Sequence, residues 1–264
     1  MFKSSITNAS TSVRRRLIEL GYRAGKNGAH FGSSLSLVEI LVALYELPQS
    51  NSKDIGSNRI ILSKGHGALG LFCALEYYGY ILKEDLDSFN TDGTEFFSHA
   101  KKDLSRGIEF SGGSLGLGLS YGVGLSVALE RKKSASRVYV IVGDGELDEG
   151  ICWESIMLAA HLSLSNLTLI IDNNQMQSDG EKSTILTSQS FADKLFAFGF
   201  DVSEVNGHDV AALSLAITRN TNKPHCIVAN TVKGKGISFM ESQASWHYGV
   251  LRESDYQLAM EELL

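Results

Sequence analysis

The sequence predicts an α/β fold: a mainly parallel β-sheet with helices on both faces. Short β-branched runs alternate with stretches of helical apolar period, the pattern of right-handed crossover units. The 26 glycines, set against only 2 prolines, cluster at 65–70, 112–124, 143–150 and 234–236. No repeat, low-complexity tract or Pro/Ser-rich linker interrupts the pattern, so residues 1–264 read as one domain.

Taken in order, Val13, Leu17, Leu20 and Ala24 fit one helical face, and Leu37, Ile40, Leu41 and Leu44 fit another. The second helix opens on Ser36-Leu-Val-Glu39, whose spacing predicts a capping box. Strands are predicted at Arg59–Leu62, Val138–Val142, Leu167–Ile171, Asp201–Val205 and Cys226–Val228. Helical stretches at 67–79, 116–131, 150–161, 190–198 and 208–219 lie between most of them. Ligands of such sheets bind beyond the strand C-termini. That rule points to Ser63-Lys-Gly-His66, Gly143-Asp-Gly145, Asp172-Asn-Asn174 and the loop after Asn230.

Composition narrows the function classes. The chain is 43% hydrophobic with a net charge of −6, which excludes disorder as the main state and argues against a wide basic groove for nucleic acid. Cys73, Cys152 and Cys226 lie far apart, with no Cys-x-x-Cys pair, so neither a disulfide framework nor a zinc knuckle is legible. The N-terminal residues lack the apolar stretch of a secretion signal, and no apolar run approaches the ~20 residues of a membrane span. The expectation is a cytoplasmic protein that binds neither membrane nor nucleic acid. A phosphate-bearing ligand must then be held locally, by a metal, histidines or backbone amides.

The strongest element is Val138-Tyr-Val-Ile-Val-Gly-Asp-Gly-Glu-Leu-Asp-Glu-Gly150, followed by a helix and then Leu167-Thr-Leu-Ile-Ile-Asp-Asn-Asn174. Asp144 and Asn174 end consecutive strands, so a carboxylate and an amide oxygen can aim at one point. Both are hard oxygen ligands suited to Mg²⁺, with phosphate oxygens completing the shell. Gly143 and Gly145 let the backbone turn sharply and approach a diphosphate. An acidic helix N-terminus capped by Asp148 or Glu149 is the plainer alternative. A calcium loop fails, because its sixth position is Glu149 rather than glycine and its twelfth is Ser155 rather than glutamate.

Gly143-Asp-Gly145 with Asn173-Asn174 resembles the thiamine-diphosphate motif, and further segments narrow the resemblance to transketolase. Ala29-His-Phe-Gly-Ser-Ser-Leu-Ser36 resembles that family's Gly-His-Pro-Gly segment, and Ser63-Lys-Gly-His-Gly67 matches its Ser-Lys-Gly-His element. Ser98-His99 with Gly107-Ile-Glu-Phe-Ser-Gly-Gly-Ser-Leu-Gly-Leu-Gly118, then Thr231-Val-Lys-Gly-Lys-Gly236, then Trp246-His247, follow in family order. The resemblance covers the N-terminal, diphosphate-binding part of a full transketolase; nothing in the chain resembles the pyrimidine-binding domain that follows it there.

The resemblance implies a thiamine-diphosphate-binding fold of the PP type and one subunit of a split transketolase. The pyrimidine-binding domain would lie on a partner chain, in an α₂β₂ assembly acting on sugars or sugar phosphates. Asp144, Asn174 and the carbonyl of Met176 would bind Mg²⁺, with Ca²⁺ or Mn²⁺ able to substitute. Gly145, Asn174, His66 and His247 would contact the diphosphate, and Gly113, Ser114 and Leu115 the ring system. His30, His66, His99 and His247 would surround the reacting carbons, where protons must move near neutral pH. A glutamate of the absent domain would drive formation of the cofactor's ylide. Phe31 and Ala100 stand where the family carries proline and Ala29 where it carries glycine, which loosens or reshapes those loops.

Other residues read more plainly. His161, His208 and His225 are expected to be ordinary core or surface histidines, Arg14-Arg-Arg16 and Arg131-Lys-Lys133 solvated helix ends, and Trp153, Phe196 and Phe198 core or interface. Lys64, Lys233 and Lys235 divide evenly between shaping a loop and touching substrate. Glu149 divides between a helix-terminal acid and a carboxylate network at a subunit contact. Deoxyxylulose-phosphate synthase and the α subunit of a 2-oxo-acid dehydrogenase are the near rivals, against which Ser63-Lys-Gly-His66 and Trp246-His247 weigh. A non-catalytic Mg-diphosphate module is opposed by the intact Asp144, Asn174 and four histidines. A nucleotide-binding Rossmann protein is opposed by the lack of Gly-x-Gly-x-x-Gly after the first strand.

Overall fold

The structure, a computed structural model, describes residues 2–47, 58–186 and 190–264, with side chains from residue 8 onward. Its five strands are β1 (Arg59–Leu62), β2 (Val138–Gly143), β3 (Leu167–Asn173), β4 (Asp201–Asn206) and β5 (His225–Asn230), in the order β1-β2-β3-β5-β4. All pairings are parallel, with Gly143 opposite Asp172 and Asp172 opposite Ala229. Each predicted run is found. β2 to β5 extend past the apolar residues because ladder hydrogen bonds do not require apolar side chains; β3 ends on Asp172 and Asn173.

Side chains alternate across the sheet, as a strand's two-residue period requires. Ile60, Leu62, Tyr139, Ile141, Ile170, Ile227 and Ala229 face one core. Ile61, Val140, Val142, Leu169, Ile171, Cys226 and Val228 face the other. Over the first face lie α1 (Phe2–Arg23), α2 (Phe31–Leu35), α3 (Val38–Tyr45), α4 (Ala68–Tyr77), the short α5 (Lys83–Leu86) and two helices named below. The second face carries α6 (Leu117–Arg131), α7 (Gly150–His161) and, beyond the short α8 (Lys182–Ile185), α9 (Phe191–Phe198). Finally α10 (Val210–Ile217) and α11 (Glu253–Glu262) close the first face. Among the described residues no helix is long and apolar enough to cross a membrane.

Two local expectations change, and one alternative is narrowed. Ser36 and Glu39 form no capping box: Leu37 occupies the N-cap of α3 without a side-chain bond. Both side chains are engaged elsewhere, Ser36 Oγ donating to Asp172 Oδ2 at 2.6 Å and Glu39 pairing with Arg14. Nor are Arg14-Arg-Arg16 a solvated helix end, because α1 runs on to Arg23. Arg14 is buried, and Arg16 bonds Glu76 at 2.8 Å and Asp87 at 2.6 Å. Phe31 does not leave its loop loose: its ring is fully buried and meets Trp246 edge-on at 5.8 Å. The preceding Ala29 exchanges two backbone hydrogen bonds with Gly249, at 2.9 and 3.0 Å.

Candidate active site

The C-terminal ends of β1, β2, β3 and β5 open into one cavity of about 260 Å³. Asp144, just past β2, is 1% exposed, and Asn174, just past β3, is 7% exposed. Asp144 accepts from the Gly145 amide at 2.9 Å and the Gln175 amide at 2.7 Å, and Asn174 Oδ1 accepts from the Met176 amide at 3.1 Å. Two oxygens from neighbouring strand tips are thus tied to consecutive amides of one turn. Gln175 makes that turn with φ 60°, a left-handed conformation that costs an ordinary residue about 1–2 kcal/mol. Gly145 has φ −71°, in the ordinary helical region. What glycine supplies there is room, since a Cβ would lie 2.9 Å from Gln177 Cγ.

Two carboxylates stand side by side with opposite electrostatics. Asp172 is fully buried; its Oδ2 accepts from Lys64, Ser36 and Asn174 Nδ2, and its Oδ1 accepts from Thr231. Burial works against its ionisation, but Lys64 and these donors prevail and hold it below the usual carboxylate range. By taking the amide's N–H, Asp172 also leaves Asn174 Oδ1 as the end available to a cation. Among the described residues Asp144 accepts no side-chain hydrogen bond, and burial, then the Asp172 charge, push it up to about 6. A buried carboxylate short of counter-charge, beside a hard amide oxygen, fits a divalent cation of the Mg²⁺ kind. Among the described residues no three His, Cys, Asp or Glu side chains cluster as a metal site. Any ion held here therefore takes one carboxylate, with amide and carbonyl oxygens alongside.

The surrounding side chains lock this turn. Buried Lys182 donates to the Asp144 carbonyl and to Asp148, each at 2.9 Å, and Gln177 donates to Asp148 at 2.7 Å. Buried Glu146 accepts from Ser63 Oγ at 2.5 Å, the Gly116 amide at 2.8 Å and the Gly143 amide at 3.0 Å. One carboxylate thus binds the glycine loop before α6 to the tips of β1 and β2.

The four histidines converge on the other end of the cavity. The His30 ring centroid lies 5.9 Å from that of His66, 5.4 Å from His99 and 5.5 Å from His247, and His66 lies 5.2 Å from His247. Burial and then neighbouring cationic groups push His30 and His247 down to about 4, and His66 well below its usual value. These three are neutral imidazoles at neutral pH, fit both to donate and to accept. His30 Nδ1 is buried without a hydrogen-bond partner among the described residues, an unsatisfied atom within the cavity wall. Lys233, 2% exposed, donates to the Gln177 carbonyl at 2.9 Å and His247 Nδ1 at 3.0 Å, with the Met176 carbonyl 3.5 Å away. Burial and then Lys64 push its ammonium down to about 8.

Of the residues expected from sequence, His30, His66, His99, Gly113, Leu115, Asp144, Gly145, Asn174, Met176 and His247 all line this cavity. Ser114 does not: it is exposed and outside the lining. Glu149 precedes α7 with no capping bond and lies exposed. Lys64 and Lys233 resolve as buried members of the site, whereas Lys235 pairs with Glu241 at 3.1 Å. Sequence reasoning missed Asp172, Glu146, Gln177, Ser33 and Lys182. Asp172 and Glu146 lay inside the quoted motifs, and the signal for them was a charged residue within a strand end or turn otherwise destined for burial.

Comparison with known proteins matches residues 11–263 to the family "Transketolase, thiamine diphosphate binding domain". An apulose-4-phosphate transketolase subunit from Actinobacillus succinogenes is 38% identical over 258 residues, covering 96% of this chain and 93% of that one. A 6-deoxy-6-sulfo-D-fructose transketolase subunit from a Clostridium species is 38% identical over 247 residues, covering 90% of each. Among solved structures, the transketolase of Leishmania mexicana superposes with a TM-score of 0.87 at 26% identity, over 98% of this chain and 41% of that one. For the transketolase of Campylobacter jejuni the TM-score is 0.86 at 28% identity, over 98% and 43%. The chain thus spans about two fifths of those solved enzymes but nearly the full length of the subunit-sized relatives. The chain belongs to the transketolase family, as a form of its thiamine-diphosphate-binding domain.

Proposed function

We propose that this chain is the diphosphate-binding subunit of a two-chain transketolase, transferring a two-carbon ketol unit from a ketose to an aldose. The observation that carries the reading is one cavity shared by Asp144, Asn174, four histidines and Lys233. Bound thiamine diphosphate supplies the carbanion and electron-sink chemistry, which the chain's side chains do not. Asp144, Asn174 Oδ1 and the Met176 carbonyl would hold Mg²⁺, and Gly145, His66 and His247 the diphosphate. Lys233 would add positive charge at that end, and Gly113 and Leu115 would approach the rings. His30, His66, His99 and His247 would orient donor hydroxyls and exchange protons with them, a task suited to imidazoles at a reacting carbon.

That the similar subunit-sized proteins are themselves transketolase subunits supports a partner chain. We assign it the pyrimidine-binding domain, in an α₂β₂ cytoplasmic enzyme whose substrates are sugars or sugar phosphates, with residues 1–264 forming one diphosphate-binding domain. The test is reconstitution of the full chain with such a partner, Mg²⁺ and thiamine diphosphate. Turnover of erythrulose or hydroxypyruvate as ketol donor, dependent on both chains and absent with pyruvate, is expected. Equal turnover by the chain alone would overturn the split assignment, and a preference for pyruvate the ketol-transfer assignment.

A further inference from the structure

The strap after β5, Thr231-Val-Lys-Gly-Lys-Gly236, carries Lys233 to the cavity, and side chains that do not line the cavity fasten it from behind; Glu241 accepts from the Gly236 amide at 3.0 Å. Arg14 on α1 donates through both terminal nitrogens to Glu39 on α3, at 2.5 and 2.7 Å, and through Nε to the Lys235 carbonyl at 3.0 Å. His208, in the turn before α10, sets Nδ1 2.9 Å from Glu39 Oε2 and receives the Val232 amide at Nε2 at 2.8 Å. An amide N–H only donates, so Nε2 carries the lone pair and Nδ1–H donates to the carboxylate. Both nitrogens are thereby committed, and a doubly protonated ring would turn N–H against N–H at Val232. Lys233 sits between the two anchored residues, Val232 and Lys235. Gly234, at φ 79°, makes the turn and donates to the Gly32 carbonyl at 2.9 Å.

We propose that His208 is a positioning residue, which acts through the Val232 amide to hold Lys233 at the diphosphate end of the cavity. Its purpose rests on the cofactor reading above; the anchoring of the strap does not. Two substitutions separate the contacts, because asparagine places its amide where Nδ1 stands and glutamine reaches where Nε2 stands. His208→Asn keeps the Glu39 contact and loses Val232, and His208→Gln does the reverse.

The parent chain and both variants, each reconstituted with the partner chain, are compared by amide hydrogen exchange, melting temperature and calorimetric binding of thiamine diphosphate with Mg²⁺. In His208→Asn the protection of Val232 is expected to fall about tenfold, the size of one lost hydrogen bond, and the cofactor dissociation constant to rise by a similar factor. His208→Gln is expected to keep both within about threefold, with protection in β2 and β3 unchanged in either variant. The proposal is overturned if His208→Asn keeps Val232 protected, if His208→Gln loses as much as His208→Asn, or if both lose protection across the whole sheet. Should neither the parent chain nor the variants bind the cofactor, the cofactor reading and the purpose assigned to His208 fail together. Exchange at Val232 then still decides whether His208 anchors the strap.

Discussion

The two ends of the cavity are built on different principles. At the Asp144 end, Asp172 and Asn174 are nearly inaccessible, and Asp172 accepts from the side chains of Ser36, Lys64, Asn174 and Thr231. At the histidine end, His99 is exposed, His30 Nδ1 is buried without a partner among the described residues, and Tyr248 beside His30 is 44% exposed. The first end is completed by the chain itself, apart from the positive charge Asp144 still lacks. The second presents imidazole rings with hydrogen-bonding capacity that the described residues leave open.

Even within the Asp144 end the contrast continues. Asp172 and Asp144 are neighbouring buried carboxylates, yet one carries its counter-ion in Lys64 and the other accepts only backbone amides. On the proposed reading, that difference separates a structural carboxylate from a metal ligand. If it holds, replacing each must fail differently.

Asp144→Ala has the largest expected effect on binding, a loss of about 4 kcal/mol or close to a thousandfold in affinity for Mg-thiamine diphosphate. Calorimetry reads that loss, and denaturation should find the variant's stability near the parent's or above it, because a desolvated charge is removed. Asp172→Asn strands Lys64 in the interior and is expected to cost about 3–5 kcal/mol of folding stability. Urea unfolding measures it; a stable variant with only weakened metal binding would erase the distinction between the two carboxylates. Replacing His30 by alanine tests the other end. The expected result is a fall of about a hundredfold in kcat/KM of the reconstituted enzyme, with cofactor affinity within a few-fold of the parent.

The smallest effect lies away from the cavity. Buried His225, its Nε2 3.0 Å from Ser203 Oγ, is pushed down to about 4 by burial and then by Arg219. Its folded value lies below its unfolded one. Its contribution to stability is therefore complete above pH 6.5 and is lost as pH falls toward about 4. His225→Asn should lessen the parent's loss of stability between neutral pH and pH 5 by about 1–2 kcal/mol. Matching melting curves for the two proteins over that range would contradict it.

The fold was legible because its signal is periodic. Five β-branched runs and the glycines at their ends fix a parallel sheet, whichever residues later line the cavity. Asp144, Asn174 and the four histidines were legible because they occur in motifs whose order follows the family. What stayed hidden are residues whose role is set by non-local partners. Nothing near Arg14 announces Glu39, and nothing near Ser36 announces Asp172, 136 positions away. The Ser36–Glu39 capping box failed for that reason: a good local pattern lost to buried charges that needed those side chains more. His208 looked ordinary because its two contacts, Glu39 and Val232, come from opposite ends of the chain.

The central claim is that two adjacent strand tips grip one divalent ion for a diphosphate. Crystals of the chain grown with thiamine diphosphate and Mn²⁺, measured at the manganese absorption edge, test it directly. The account predicts one anomalous peak bonded to Asp144, Asn174 Oδ1 and the Met176 carbonyl, with the diphosphate completing its shell. A peak elsewhere, or a diphosphate bound with no ion between it and Asp144, would contradict it.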